Sequence, residues 1–264
     1  MSRLTALHSL CRSLLLFHVL CLALTGGPCP ALAGNNLQLS AGVGMRSVLE
    51  ELLRQYPVNN TAIRTNFASS GVLARQILQG APVDLFISAN MDWMEQLRLH
   101  NRITEPVVLF AANSLVVVGR RDTPLRSLDE LRSCRRIAIG NPRSVPAGQY
   151  AEQALRNAGL LTELQPRLLL TSDVRQALLY ADRGEVDAAL VYHSDACLAR
   201  QARLLLRVPP QLHDPIRFPM ALTSRGADNP ATRQLLDFLT SPSARALLVQ
   251  RGFIDPLSLP GSQP

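Results

Sequence analysis

Short apolar runs alternate with amphipathic segments along the chain, from residue 37 nearly to residue 250. Apolar runs of about four to eight residues are typical of buried strands, whereas apolar positions spaced three and four apart are typical of helices. Predicted strands lie at residues 37–39, 61–67, 83–88, 136–140, 168–170, 188–192, 204–208 and 216–223. Predicted helices lie at residues 45–56, 72–79, 91–99, 128–131, 147–158, 174–182, 195–202, 231–239 and 243–250. This alternation predicts an α/β protein.

The division into lobes is predicted from what the chain lacks. No flexible linker separates its two α/β halves, and two long extended runs lie around Leu115–Val118 and Arg217–Leu222. We therefore expect two interleaved lobes whose chain crosses twice, which makes a hinge with a cleft beside it. Lobe I is predicted to comprise residues 34–114 and 217–264, and lobe II residues 115–216.

The N-terminal segment predicts export. Arg3 and Arg12 flank an apolar run over residues 14–24, and Ala31-Leu32-Ala33 supplies a small-x-small site. This order is typical of a secretory signal peptide over residues 1–33. The apolar run is shorter than the roughly 20 residues that a membrane span needs. We expect the mature protein in the periplasm.

Composition limits the classes of partner and site. The formal net charge is +7, and removal of two signal-peptide arginines leaves +5. The arginines are scattered and aromatic residues are sparse, which argues against nucleic-acid binding. His100, His193 and His213 lie far apart in sequence, so no metal site built from protein side chains is expected. Cys134 and Cys197 remain after cleavage, and an oxidising compartment would permit their pairing.

One local pattern recurs at the predicted strand–helix junctions. Loops rich in small or hydroxyl residues precede helix starts, with the sequences SAGVG, ASSG, SVPAG, TSD and, more weakly, YHSD. Capping alone explains each loop taken singly. Helix N-termini, however, offer free N–H groups and a partial positive charge, and such loops gather at the carboxyl ends of strands. Together they predict a site for a small anion.

Several longer segments carry a family resemblance. FASSGVLARQILQGAPVDLFIS at 67–88, NSLVVVGR at 113–120, NPRSVPAGQYAEQAL at 141–155, TSDVRQALLYADRGEVDAALVYHSDA at 171–196 and RGF at 251–253 occur in order. They resemble periplasmic molybdate-binding proteins, the solute-binding subunits of molybdate ABC importers, over nearly the whole mature chain. The resemblance implies a type II periplasmic binding protein with its ligand between two α/β lobes.

The resemblance also implies a ligand set. Ser70 matches a serine donor, Ala147 and Val174 match backbone donors, and Tyr192 matches a phenolic donor to the oxyanion. Gly44 stands where the family's AAASL-type loop has a serine, so a hydroxyl donor is lost while a backbone N–H stays. Of the paired serines, Ser70 is the predicted donor and Ser69 the structural residue.

The implied function is transport binding rather than catalysis. We expect a monomer that captures molybdate or tungstate and delivers it to the membrane permease of an ABC importer. No cofactor and no directly bound metal are expected, because molybdenum would arrive as its oxyanion.

Alternative anions depend on the charged residues beside the loops. A fully deprotonated oxyanion only accepts hydrogen bonds, whereas phosphate near neutral pH carries a proton and needs an acceptor. Asp173 and Asp195 are interpreted as helix caps, which favours molybdate, tungstate or sulfate. Arg143 and Arg175 are interpreted as solvated residues that attract anions. If either points inward, a carboxylate becomes the alternative ligand.

Two further classes are disfavoured. A hydrolase would use Ser70, His193 and Asp195, but no G-x-S-x-G elbow surrounds the serine. A regulator's effector domain shares the two-lobed fold, but the signal peptide and the lack of a DNA-binding segment oppose it.

Overall fold

A computed structural model of the protein describes residues 36–57, 62–120, 122 and 125–258. The predicted signal peptide, residues 1–33, lies outside the described residues. The strands are β1 (Leu37–Gly42), β2 (Ile63–Ala68), β3 (Leu85–Ile87), β4 (Val108–Ala112), β5 (Leu115–Gly119), β6 (Ile137–Gly140), β7 (Leu168–Thr171), β8 (Ala188–Tyr192), β9 (Arg203–Arg207) and β10 (Arg217–Leu222). The α-helices are α1 (Arg46–Gln55), α2 (Ser70–Leu78), α3 (Met91–Leu99), α4 (Pro146–Asn157), α5 (Leu161–Leu164), α6 (Val174–Asp182), α7 (His193–Ala196), α8 (Pro230–Leu239) and α9 (Pro242–Gln250).

The strands form two mixed sheets with the same plan. Sheet 1 has the order β2-β1-β3-β10-β4, and sheet 2 has the order β7-β6-β8-β5-β9. The first three strands of each sheet are parallel, and the fourth runs antiparallel to both of its neighbours. Crossover helices follow the parallel strands, as this topology requires.

Burial of the central strands explains their continuous apolar sequences. Every residue of β5 and β8 is buried, which is typical of strands that are covered on both faces. A separate apolar cluster packs α2 and α3 against β3 and β10. Trp93 is partly buried against this cluster.

The two sheets are connected by two crossings. The chain passes from β4 to β5 through Asn113 and Ser114, and it returns between β9 and β10. The backbone N–H of Asn113 donates to the carbonyl oxygen of Ile216 at 3.1 Å, which joins the two crossings. The predicted architecture of two α/β lobes with a two-crossing hinge is confirmed. The extended runs at Leu115–Val118 and Arg217–Leu222 are the strands that follow each crossing, not the crossings themselves.

One predicted helix is wrong. Residues 195–202 were expected to be helical, but α7 ends at Ala196. The carboxylate of Asp182 accepts hydrogen bonds from the backbone N–H groups of Arg200, Gln201 and Ala202. These bonds hold the segment as a loop, because a carboxylate satisfies the N–H groups that a helix would otherwise pair.

None of the described helices could span a membrane, and no disulfide bond joins Cys134 and Cys197. In the described part of the chain, no helix is long and apolar enough to cross a membrane. Cys134 and Cys197 are not bonded to one another; the first is buried and the second is exposed. Burial raises the pKa of the Cys134 thiol to about 11.

The cysteines give a prediction for the mature chain, residues 34–264. At pH 8 a thiol with a pKa of about 11 is thiolate in about one molecule in a thousand, so Cys134 should react slowly. Titration with an aromatic disulfide reagent should show one fast thiol in the native protein and two after unfolding in guanidinium. Cys197→Ser should abolish the fast phase. Absence of any thiol after unfolding would contradict this prediction and indicate a disulfide.

Candidate functional site

The carboxyl ends of six strands meet around one small cavity. Three of these strands belong to sheet 1 and three to sheet 2. The cavity is lined by Gly42, Val43, Gly44, Ser69, Ser70, Ala89, Val145, Pro146, Ala147, Asp173, Val174 and Tyr192. The structure therefore brings together all five residues that the sequence singled out: Gly44, Ser70, Ala147, Val174 and Tyr192.

The size of the cavity restricts what it can hold. Its volume is about 20 Å³, whereas pockets for drug-sized organic ligands measure roughly 300–1,000 Å³. Larger depressions of about 420, 530 and 440 Å³ lie elsewhere, and only the last includes a residue of the small cavity. The small cavity therefore suits a compact group of a few atoms.

Helix starts supply backbone donors around the cavity. Ser70 is the first residue of α2, Ala147 the second of α4, and Val174 the first of α6. N–H groups in a helix's first turn have no acceptor within that helix. They also lie at the positive end of the helix dipole. Three such helix starts, one from sheet 1 and two from sheet 2, make the cavity a favourable place for negative charge.

The start of α4 packs closely against the end of β6, and this packing positions Ala147. A Cβ atom on Gly148 would lie 1.8 Å from the carbonyl oxygen of Gly140. Any larger residue at position 148 would push the start of α4 away from the end of β6. Glycine at this position therefore lets α4 begin directly against the cavity.

Two hydroxyl groups are available as donors. The Ser70 Oγ accepts a hydrogen bond from the backbone N–H of Ala89 at 2.9 Å, so its own proton is free to be donated elsewhere. The Tyr192 hydroxyl lies 3.4 Å from the carbonyl oxygen of Ala89, which is long for an O–H donor. Burial raises the pKa of Tyr192 well above its usual value. The phenol therefore remains protonated and keeps its capacity to donate.

Sequence analysis missed Ser69. It occupies the N-cap position of α2, but its side chain makes no capping hydrogen bond. Its Oγ is buried and has no partner among the residues that the structure describes. The structural role expected for Ser69 is thus not supported by a hydrogen bond, and its hydroxyl is a further donor in the cavity lining. Two consecutive serines before a helix that needs only one cap were the signal for it.

Gly44 lies in a 3₁₀ turn directly after β1. A Cβ atom at this position would lie 3.4 Å from the Oδ2 of Asp195 and from the Cγ1 of Val174. These are ordinary contact distances, so a serine would fit. Its hydroxyl would have Asp195 as a competing acceptor beside any anion.

The two predicted aspartate caps differ. Asp173 is the N-cap of α6 and accepts from the backbone N–H of Gln176 at 3.0 Å, as expected. The cap assignment of Asp195 is wrong, because this residue lies inside α7 and is completely buried. Its Oδ1 lies 2.8 Å from the Nε of Arg175. Burial raises the pKa of Asp195 to about 6, and the nearby Arg175 opposes that rise.

The two predicted surface arginines also differ. Arg143 is exposed and lines an outer depression. The solvated interpretation of Arg175 is wrong, since its side chain is only 23% exposed and forms the ion pair with Asp195. Among the described residues that line the small cavity, none is lysine or arginine. A carboxylate ligand would therefore find no guanidinium partner there.

The three residues considered for a hydrolase do not form a triad. The Nδ1 of His193 lies 3.1 Å from the Gly252 carbonyl oxygen, and its Nε2 lies 3.3 Å from the Nη2 of Arg207. They contact neither Ser70 nor Asp195. Over the described residues, no group of three or more His, Cys, Asp or Glu side chains is placed to hold a metal ion.

Comparison with known proteins gives the family. The model of the family "Bacterial extracellular solute-binding protein" matches residues 37–254. The chain is 31% identical to the molybdate-binding protein ModA of Haemophilus influenzae, covering 84% of this chain and 91% of the relative. It is 32% identical to ModA of Escherichia coli, with coverage of 84% and 93%.

A solved structure supports the fold. The periplasmic molybdate-binding protein of Azotobacter vinelandii superposes with a TM-score of 0.75 at 24% identity, covering 83% of this chain and 98% of that one. Two mixed sheets joined by two crossings make this a type II periplasmic binding fold. The chain therefore belongs to the bacterial extracellular solute-binding proteins, and it is related to these ModA proteins.

Proposed function

We propose that this protein captures molybdate, or tungstate, in the periplasm and delivers it to the membrane permease of an ABC importer. The observation that carries the proposal is the meeting of Gly44, Ser70, Ala147, Val174 and Tyr192 around one small cavity. The molybdate-binding relatives of Haemophilus influenzae and Escherichia coli support the same ligand. The proposal includes the lobe boundaries 34–114 with 217–264 and 115–216, export by residues 1–33, and a monomeric state.

Neutral donors hold the anion in this proposal. The hydroxyls of Ser70 and Tyr192 donate, as do the backbone N–H groups of Ala147, Val174 and Gly44. The Ser69 hydroxyl is added to this set and replaces the hydroxyl that Gly44 does not provide. Each hydrogen bond to a charged partner contributes about 1.5–3 kcal/mol. A few such bonds account for tight binding without a cationic side chain.

The donors come from both lobes, which links binding to closure. Gly44, Ser69 and Ser70 follow strands of sheet 1. Ala147 and Val174 lie at the starts of helices that follow strands of sheet 2, and Tyr192 is the last residue of a strand of sheet 2. An anion that contacts only one lobe forms about half of the hydrogen bonds. The full set forms when the hinge brings the two lobes together, so the ligand stabilises the closed state.

Sulfate is the second candidate, since it is also a dianion that only accepts hydrogen bonds. The size of the anion separates the two, because metal–oxygen bonds are longer than sulfur–oxygen bonds. Phosphate fits less well. Near neutral pH it donates a proton, and the Asp173 carboxylate beside the cavity is already engaged as a helix cap.

Isothermal titration of the mature, dialysed protein with molybdate, tungstate, sulfate and phosphate tests the proposed function. We expect tight binding of molybdate and tungstate, with sulfate and phosphate at least about a hundredfold weaker. Thermal unfolding should shift upward only with the anions that bind. Binding of sulfate alone would replace the proposed ligand, and no binding of any of the four would overturn the function.

Single-hydroxyl deletions test the donor set. Ser70→Ala should weaken molybdate binding by about one to two decades, because it removes one hydrogen bond to a charged partner. Ser69→Ala and Tyr192→Phe should each weaken binding by about tenfold. Ser127→Ala is the matched control, since this exposed serine does not line the cavity and its side chain makes no capping hydrogen bond. An affinity of Ser70→Ala equal to that of the control would refute the assignment.

A further inference from the structure

We propose that Arg175 is a positioning residue that fastens lobe II onto lobe I in the closed state. The inference rests on the proposed function, because lobe closure is what traps the anion. Arg175 lies on α6 beside sheet 2, and its guanidinium reaches the loop and helix that follow β1 of sheet 1. It does not line the anion cavity, so its effect on binding is indirect.

The guanidinium makes contacts in two directions. Toward its own lobe, the Nε lies 2.8 Å from the Oδ1 of Asp195. Toward lobe I, the Nη2 donates to the Oγ of Ser47 at 3.1 Å and, at a longer 3.4 Å, to the carbonyl oxygen of Gly44. A planar guanidinium with donors on several edges can serve both sides at once, which the single ammonium of lysine cannot do in the same geometry.

The ion pair with Asp195 inside lobe II keeps the Arg175 guanidinium in position for closure of the lobes. Asp195 is completely buried, and its two oxygens lack a well-aligned hydrogen-bond donor among the described residues. An unpaired carboxylate at this depth would be costly, so Arg175 is retained beside it in either state of the hinge. Among the described contacts of Arg175, those to Ser47 and Gly44 cross between the lobes. These bonds therefore stabilise the closed state specifically.

The position of the contact connects it to the anion. Arg175 follows Val174 in sequence, and both Val174 and Gly44 line the anion cavity. Gly44 also lines an outer depression of about 440 Å³, together with Ser47 and Arg175. The hydrogen bond from Arg175 to Gly44 thus lies between the anion cavity and this outer depression. Breaking the bond should let this side of the cleft open and speed release of the anion.

Two further contacts across the cleft involve neutral groups and lie around other residues. The backbone N–H of Gly71 donates to the Ser144 carbonyl oxygen at 3.0 Å, and the Nδ2 of Asn90 donates to the Oε1 of Gln149 at 2.7 Å. A Cβ atom on Gly71 would lie 2.6 Å from the Trp93 ring and 2.7 Å from that same Ser144 oxygen. The lone tryptophan of the chain is therefore next to a point of lobe contact and serves as a fluorescent reporter of closure.

A double-mutant cycle on molybdate release tests the inference. The release rate is measured by stopped-flow dilution with Trp93 fluorescence for wild type, Ser47→Ala, Arg175→Met and the double variant. We expect Arg175→Met to speed release by about tenfold, the loss of one charge-assisted hydrogen bond. Ser47→Ala should speed it about threefold when Arg175 is present and leave it unchanged when methionine is present. Arg143→Met, the matched exposed arginine, should release molybdate at the wild-type rate.

The Ser47→Ala arm keeps the test independent of damage to the fold, because it leaves the Arg175–Asp195 pair intact. Equal acceleration of release by Ser47→Ala in both backgrounds, or no acceleration in either, would overturn the proposed role of Arg175. The proposed function would still stand. If the wild-type protein binds none of the anions, the proposed function fails, and thermal unfolding then tests the contact between Arg175 and Ser47. Ser47→Ala must then lower the midpoint only when Arg175 is present, and equal lowering in both backgrounds overturns it.

Discussion

The convergence of free N–H groups at the starts of three helices is the interaction on which the rest of the structure depends. Ser70, Ala147 and Val174 bring these groups from both lobes to one small cavity. Like partial charges facing each other repel, and buried donors without acceptors are costly. An anion relieves both problems at once. The topology is suited to this arrangement, since parallel strands place the helix starts of each lobe at one edge of its sheet.

The pairing of charged side chains near the cavity is consistent with a site that holds an anion through backbone N–H groups. The nearest strong charges are paired or engaged: Arg175 with Asp195, and Asp173 with the start of α6. The cavity thus contains no cationic side chain among its described lining residues, and its positive character comes from backbone N–H groups. Such a site favours an ion that only accepts hydrogen bonds. In the proposed function the donors select the anion, while the proposed role of the Arg175 contacts is to stabilise the closed state of the lobes.

Local patterns in the sequence predicted much of the fold and of the cavity. The bounds of α3, α6 and β8 agree with the predicted segments 91–99, 174–182 and 188–192, because periodicity and adjacent caps are encoded within each segment. The cavity-lining residues were found through family motifs at strand–helix junctions.

The errors share one physical origin, which is contact between residues far apart in sequence. Asp182 holds residues 200–202 in a loop, and Arg175 reaches Ser47, which precedes it by 128 positions. Burial of Asp195 against Arg175 likewise has no local signature. Patterns within a window of a few residues contain no information about such partners.

We propose that the anion lies between the lobes and is held by neutral donors. A crystal structure of the mature protein grown with molybdate, with data collected at the molybdenum absorption edge, tests this placement. We predict a single anomalous peak inside the cavity, with oxyanion oxygens within hydrogen-bonding distance of Ser70, Ala147, Val174 and Tyr192. A peak beside Arg143 or in the outer depression next to Arg175, with the cavity empty of molybdenum, would contradict the account.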